Sequence, residues 1–182
     1  AGYTVFVFGD SGSSSFIGGG KKSFSDSGVL APLWVAGPRV APGVDSSLVS
    51  IVDLYATVAE LMGIERSPAT QGPHSLSMVP VLGGGQHGRE FAAAEIFGRL
   101  GDSPRERARM RWTRMLRSER YKLVWHRKDG QVLSFYDLAA DPNEEVDLLE
   151  AGEPEGEAGA AFARMRAQME ADIEGSGREV TP

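Results

Sequence analysis

The spacing of apolar and polar positions divides the chain into a small number of elements. Tyr3 to Phe8 (YTVFVF) is a continuous apolar, β-branched and aromatic run closed by Gly9, the pattern of a strand buried on both faces of a mainly parallel sheet. Such a strand takes its neighbours from other parts of a sheet, so the chain is expected to be the C-terminal portion of a longer protein. Ala31 to Ala36 (APLWVA), opened by Pro32 and closed by Gly37 and Pro38, reads as a second buried strand. Between the two, Gly9 to Gly28 holds glycine, serine and charge with no helical period, hence a long loop at a strand's C-terminal edge.

A helix is expected over Ser46 to Met62, where Leu48, Ile51, Val52, Tyr55, Val58, Ala59 and Met62 recur at three and four. Ser46 or Ser47 is its expected N-cap and Gly63 its stop. Ser77 to Leu82 reads as a short helical or turn segment before three glycines, and Glu90 to Phe97 as a strand. Asp102 to Arg109 is polar and reads as loop. Met110 to Leu116, Tyr121 to His126 and Val132 to Tyr136 are short apolar runs separated by RSE and KDG, an antiparallel meander. An acidic linker leads to a last helix with Ala158, Ala161, Phe162, Met165, Met169 and Ile173 on one stripe. The organisation thus changes near residue 100, giving an α/β part over 1–100 and a small antiparallel β part with a C-terminal helix over 101–182.

Composition narrows the function classes. The 182 residues are 41% hydrophobic and 24% charged, ordinary for a globular protein. A net charge of −6 provides no global basic field for nucleic acid or an anionic membrane surface. Cysteine is absent, which removes disulfides, thiolate metal sites and a cysteine-derived nucleophile from this chain. No apolar run approaches the roughly 20 residues of a membrane-spanning helix. Arg105 to Lys128 is basic and Asp137 to Glu157 acidic without a base, read as solvated faces that partly neutralise each other.

The loop after the first strand carries the candidate chemistry. GGGKKS departs from a phosphate loop at two places, Ser15 and Lys22. FGDS resembles the first block of the Gly-Asp-Ser-Leu esterases, with Ser11 as nucleophile. Serine catalysis needs a base and a group to orient it, and none of His74, His87 and His126 has an Asp three residues before it. Asp53, inside a helix, is expected to cap or pair backbone. His74, His87 and His126 are expected at the surface, and the Tyr136 to Glu144 turn is expected to fix the small sheet against the last helix.

A third pattern extends over residues 3 to 150. Gly9, Asp10, Ser11 and Gly12 end a strand; Gly20, Lys21, Asp26, Ser27, Gly28 and Pro32 follow. Next come Val52, Asp53, Leu54, Thr57, Gly63 and Ile64, then Gly72, Ser75, Leu76, Val79, Leu82 and Gly83. Arg120, Tyr121 and Lys122 precede Tyr136, Asp137, Leu138, Asp141, Pro142 and Glu144. In this order the blocks resemble the C-terminal half of the sulfatase family, within the alkaline phosphatase superfamily.

The resemblance implies the last strands and a helix of an alkaline-phosphatase-like α/β domain, followed by a small antiparallel sheet with a packed C-terminal helix. It implies a hydrolase of sulfate esters, or of phosphate or phosphonate esters, acting on a small molecule or a carbohydrate. A divalent metal is implied, Ca²⁺ ahead of Mg²⁺, with Asp10 and Ser11 on its side and Lys21 as the catalytic cation that grips the anion. A carboxylate at the end of a parallel strand is where α/β sheets place ligands, and such dications take oxygen donors. The formylglycine nucleophile and the other metal ligands are implied to lie in the N-terminal half of the same protein, the expected partner, so this chain alone is expected to be inactive. Secreted or periplasmic locations are common in the family. Ser11 stands where the family has Asn or His, Leu30 where it has Arg, Asp26 for Glu and Ser27 for Gly. The departures at Ser11 and Leu30 support the alternative of a non-catalytic, sulfatase-like binding or structural protein.

Overall fold

The structure, a computed structural model, describes residues 2–13, 20, 23–65, 74–98, 111–126 and 131–175, without the side chains of 97–98, 111–112 and 173–175. The chain forms two compact units, one of Ala1–Asp10 with Ala31–Ala92, the other of Ser11–Leu30 with Ala93–Pro182.

In the first unit, β1 (Val5–Phe8) pairs with β2 (Leu33–Ala36) as a two-stranded antiparallel ribbon, with Val5 opposite Ala36 and Phe8 opposite Leu33. This corrects the expectation of two buried strands in a mainly parallel sheet. Among the described residues between β1 and β2 there is no long crossover helix of the kind that parallel neighbours use. Nothing among the described residues covers both faces of the ribbon, so Val5, Val7 and Trp34 stand 53%, 55% and 64% exposed.

The first long helix, α2 (Asp53–Leu61), is shorter than expected; before it, in the second unit, lies the single turn α1 (Asp26–Val29), inside the segment expected to be loop. The end of α2 follows the sequence expectation. Gly63 adopts φ +68, its amide donates to the Glu60 carbonyl at 3.0 Å, and the Ile64 amide donates to Ala59 at 2.9 Å. That pair of bonds closes the last turn, and a left-handed residue there favours glycine. The inward face is the surprise. Asp53, Ala56 and Thr57 are buried together with Ala59 of the expected stripe, whereas Ile51, Val52, Tyr55, Val58 and Met62 of that stripe face outward.

Polar bonds to residues 75–78 explain the inversion. Thr57 Oγ1 donates to the Asp53 carbonyl (2.7 Å) and accepts the Met78 amide (2.9 Å). Ser75 Oγ donates to the Val52 carbonyl (2.7 Å) and accepts the Ala56 amide (3.2 Å). Buried polar groups must be paired, and this pairing turns the polar edge of the helix inward. A single turn, α3 (Val79–Leu82), follows.

The second unit holds a four-stranded sheet in the order β3 (Ala92–Gly98), β4 (Arg111–Arg117), β5 (Tyr121–His126), β6 (Gln131–Asp137). β4, β5 and β6 form the expected antiparallel meander, with a register shift between Val124 and Trp125. Leu116, Leu123 and Phe135 lie opposite one another across it and are buried. The last helix, α4 (Gly156–Gly175), packs on β5 and buries Ala161, Phe162, Met165 and Met169, a stripe of three- and four-residue steps. The Phe135 ring stacks on Tyr121 with centroids 5.3 Å apart and meets Phe162 edge-on at 5.2 Å.

Strand alternation puts the neighbours of these core residues on the opposite face. There Arg117 and Lys122 sit directly opposite each other. Two like charges in that position destabilise a sheet, unless carboxylates come between them.

Candidate functional site

Asp10 follows Gly9 at the end of β1, where the Gly9 amide donates to the Pro32 carbonyl at 3.0 Å, and its side chain is exposed. It belongs to the first unit and Ser11 to the second. Ser11 is half-buried and leads into a short two-stranded approach: the Gly12 amide donates to Gly28 O (3.1 Å) and the Ser13 amide to Ser27 O (2.8 Å). A Cβ on Gly12 would lie 2.2 Å from Ser27 O, so only glycine allows the two backbones this close. Lys21 lies outside the described residues. Its neighbour Gly20 is buried, with φ +53; its amide donates to Ser27 Oγ (3.2 Å) and its carbonyl accepts Ser23 Oγ–H (2.8 Å). The stretch Ser25–Gly28 thus holds both Gly12–Ser13 and Gly20.

That stretch is itself fixed to the sheet by charge. Lys122 is fully buried, and its ammonium donates to Asp26 Oδ1 (2.6 Å), Glu144 Oε1 (2.7 Å) and the Phe24 carbonyl (2.9 Å). Three acceptors meet the three N–H bonds of an ammonium, so burial leaves none unmatched. Arg117 completes the group, with Nε and Nη2 donating to the two Asp26 oxygens at 3.3 and 3.1 Å. Glu144 Oε1 also accepts the Asp26 amide at 2.8 Å. Two cations therefore face two carboxylates, which resolves the like-charge pair on β4 and β5.

Burial alone would raise the Asp26 carboxyl, but hydrogen bonds from Lys122 and Arg117, together with their charges, hold it below the usual carboxylate range. Glu144 reaches its place from a backbone at φ +59, a region costly for a residue with a side chain. The turn that carries it is tied locally: the Asp141 amide donates to Asp137 O (2.8 Å) and Asp141 Oδ2 accepts the Val146 amide (2.8 Å). The expectation that this turn fixes the sheet against the last helix is corrected in part. Glu144 bonds the Ser23–Val29 segment, while the other end of the turn, Asp137, is linked to the helix through Arg120, which donates to Asp137 and to Glu157.

The view of the charged stretches as solvated faces is likewise corrected at Lys122 and Arg114. Arg114 is buried and donates to Asp172 of α4 at 2.5 Å. In the first unit, buried Asp53 accepts the Ser50 and Leu76 amides at 2.8 Å and pairs with Arg89, so it serves the backbone as expected. His74 is exposed, whereas His87 is half-buried with Nδ1 donating to the Leu48 carbonyl at 3.0 Å, and His126 is half-buried.

Among the described residues, no group of three or more His, Cys, Asp or Glu is arranged to hold a metal ion. Asp10 and Ser11 offer one carboxylate and one hydroxyl, against the roughly six to eight oxygens that Ca²⁺ takes. These residues by themselves do not fit a complete dication site. No helix among the described residues is long and apolar enough to cross a membrane.

The residues missed by sequence reasoning are Lys122, Glu144 and Arg117 acting as a group. Lys122 and Glu144 fall in the Arg-Tyr-Lys and Asp-Pro-x-Glu blocks, and a lysine inside the apolar run YKLVW was the available signal.

No protein-family profile matches the chain. It is 29% identical over 134 residues to the choline-sulfatase of Rhizobium meliloti (strain 1021), an alignment covering 71% of this chain and 23% of that protein. Among solved structures, the 2-O GAG sulfatase BT1596 matches with a TM-score of 0.74 at 22% identity, over 95% of this chain and 36% of that one. A phosphonate monoester hydrolase from Silicibacter pomeroyi matches with a TM-score of 0.62 at 22% identity, over 84% of this chain and 30% of that one. At these identities the structures speak for the fold alone. The chain spans about a quarter of its curated relative and about a third of the solved ones. Motif order, sequence likeness and fold alike make the chain similar to a C-terminal portion of sulfatases.

Proposed function

We propose that the chain supplies the strand end Asp10–Ser11 and the cation Lys21 to a sulfate-ester hydrolase whose nucleophile is carried by an N-terminal half of the same protein. The observation that carries this reading is the Gly-Asp-Ser-Gly element at the end of β1, in a chain whose fold matches a sulfatase over 95% of its length. Asp10 contributes one carboxylate to a shared Ca²⁺ or Mg²⁺ site, the remaining oxygens coming from the N-terminal half. Lys21 places a compact positive charge against the sulfate oxygens as negative charge grows on the ester. The chain alone is inactive on this reading, because neither the nucleophile nor a full donor set lies within it.

The outward apolar residues of the first unit support the partner. Val5, Val7, Trp34, Tyr55, Val58 and Met62 are each 42% to 69% exposed, and a ribbon and a helix stripe of this kind fit a larger sheet and its covering helix. The test joins the chain to its upstream half and measures aryl sulfate hydrolysis with Ca²⁺. Asp10→Ala is expected to abolish turnover; unchanged turnover removes the assignment.

A second reading, a non-catalytic binding protein, is favoured by Ser11, whose neutral hydroxyl stands where the family uses Asn or His. Calorimetric titration of the joined protein with Ca²⁺ separates the two, since the second reading gives no binding heat. The Gly-Asp-Ser esterase alternative predicts labelling of Ser11 by a fluorophosphonate, and the hydrolase reading predicts none.

A further inference from the structure

We infer that Lys122, with Glu144 and Arg117, positions the Gly12–Ser13 and Gly20 segments for the reaction, acting through Asp26 rather than on the reacting groups. The inference rests on the hydrolase reading above and deepens it, since those segments flank the two functional positions Ser11 and Lys21.

The physical chain is short. Lys122 fixes Phe24 and Asp26 by direct bonds, and Glu144 holds the Asp26 amide. Asp26 opens a turn in which Gly28 and Val29 amides donate to Ser25 O and the Leu30 amide to Asp26 O. The hydroxyls of Ser23, Ser25 and Ser27 run in sequence at 2.7 and 2.9 Å, and Ser27 Oγ accepts the Gly20 amide. Ser27 and Gly28 carbonyls then receive Ser13 and Gly12. A shift of Asp26 is therefore passed to Gly12 through two residues of backbone and to Gly20 through one hydroxyl.

Two features point to positioning rather than to stability alone. First, an ammonium buried with two carboxylates is a weak source of net stability, because desolvation offsets the attraction, whereas its geometry is strict. Second, Glu144 holds a costly backbone conformation in order to reach both Lys122 and the Asp26 amide. An apolar contact would cover the sheet face without either cost. What the charged group adds is a fixed location for Asp26.

The test compares the full chain with Lys122→Met and Glu144→Gln variants by amide hydrogen exchange. Both substitutions are expected to speed exchange at Gly12, Ser13 and Gly28 at least about tenfold more than at Leu123 and Phe135, the mark of a local opening on top of any loss of overall stability. Equal acceleration throughout the second unit, or none at Gly12 and Ser13, overturns the inference. Should Lys122→Met fail to fold, Glu144→Gln alone decides it. In the protein joined to its upstream half, Glu144→Gln is expected to lower kcat/KM for an aryl sulfate about tenfold, about 1.4 kcal/mol, and restoring Glu144 recovers it. Faster exchange at Gly12 with unchanged kinetics overturns the positioning role. Absence of hydrolysis in the unmodified joined protein overturns the hydrolase reading instead, while the exchange pattern still decides whether Lys122 places Gly12, Ser13 and Gly20.

Discussion

Glu144 places one carboxylate oxygen 2.7 Å from the Lys122 ammonium, from a turn 22 residues further along the chain. The same oxygen receives an amide 118 residues earlier, that of Asp26. One side chain thus ties a strand, a turn and the distant serine-rich segment, and most of the expected mutational behaviour of the second unit follows from it.

Removing the cation leaves two carboxylates close together without their shared donor. Lys122→Met is expected to destabilise the second unit by about 3–5 kcal/mol, the cost of breaking a buried pair on one side. Adding Asp26→Asn and Glu144→Gln to Lys122→Met should recover part of that loss, because the uncompensated charges go with the cation. Urea unfolding followed by tryptophan fluorescence measures both, and a triple variant no more stable than Lys122→Met would contradict the electrostatic account.

Acid should act through Asp26. Its folded carboxyl lies below the ordinary range, so the unfolded chain takes up the proton first as pH falls. The associated stability is fully present above the unfolded value of about 3.9 and is lost as pH drops from there through the lower folded value. Asp137, held low chiefly by its hydrogen bond from Arg120, works in the same direction. The urea midpoint is expected to decline below about pH 5, and Asp26→Asn should flatten that decline without abolishing it. An identical slope in the variant would show that Asp26 is not responsible.

In the first unit, Asp53 is fully buried and satisfied by two amides and Arg89. Asp53→Ala strands the guanidinium and both amides, with an expected loss of about 3–5 kcal/mol, whereas Asp53→Asn keeps acceptor capacity and should cost less. Thermal unfolding of the two variants gives the ranking, and equal midpoints would show that the charge, not the hydrogen bonding, is what matters.

The packing of α4 on the sheet rests on Phe162, 6% exposed and edge-on to Phe135. Phe162→Ala is expected to cost about 3–5 kcal/mol through lost burial and the cavity left behind. Guanidinium unfolding with an unchanged slope would confirm a cost paid in the folded state, and a loss under about 1 kcal/mol would show that the helix is held mainly by its other contacts.

Elements set by local pattern were legible in the sequence. The meander of β4 to β6, the α4 stripe and the stop at Gly63 each depend on residues within a few positions of one another. What could not be read depends on distant partners. The inward face of α2 is chosen by Ser75, Leu76 and Met78, some 20 residues away, against the apolar periodicity of Ile51, Tyr55 and Val58. The fate of Lys122 depends on Asp26, 96 residues earlier, and on no nearby pattern. The apolar runs of β1 and β2 were correctly seen as strands, but their burial depends on covering elements that the described residues do not contain. Of the three site residues, Asp10 follows the end of β1 and is exposed, Ser11 is half-buried, and Lys21 lies outside the described residues.

The β1–β2 ribbon has a practical corollary. A two-stranded sheet has only edges, each with a row of backbone donors and acceptors unclaimed by a further strand among the described residues, and Val5, Val7 and Trp34 make its sides water-averse. At high concentration such a ribbon is a template for stacking one copy upon another, so preparations of the isolated chain should become turbid as protein is added and clear when a charged residue replaces Val7.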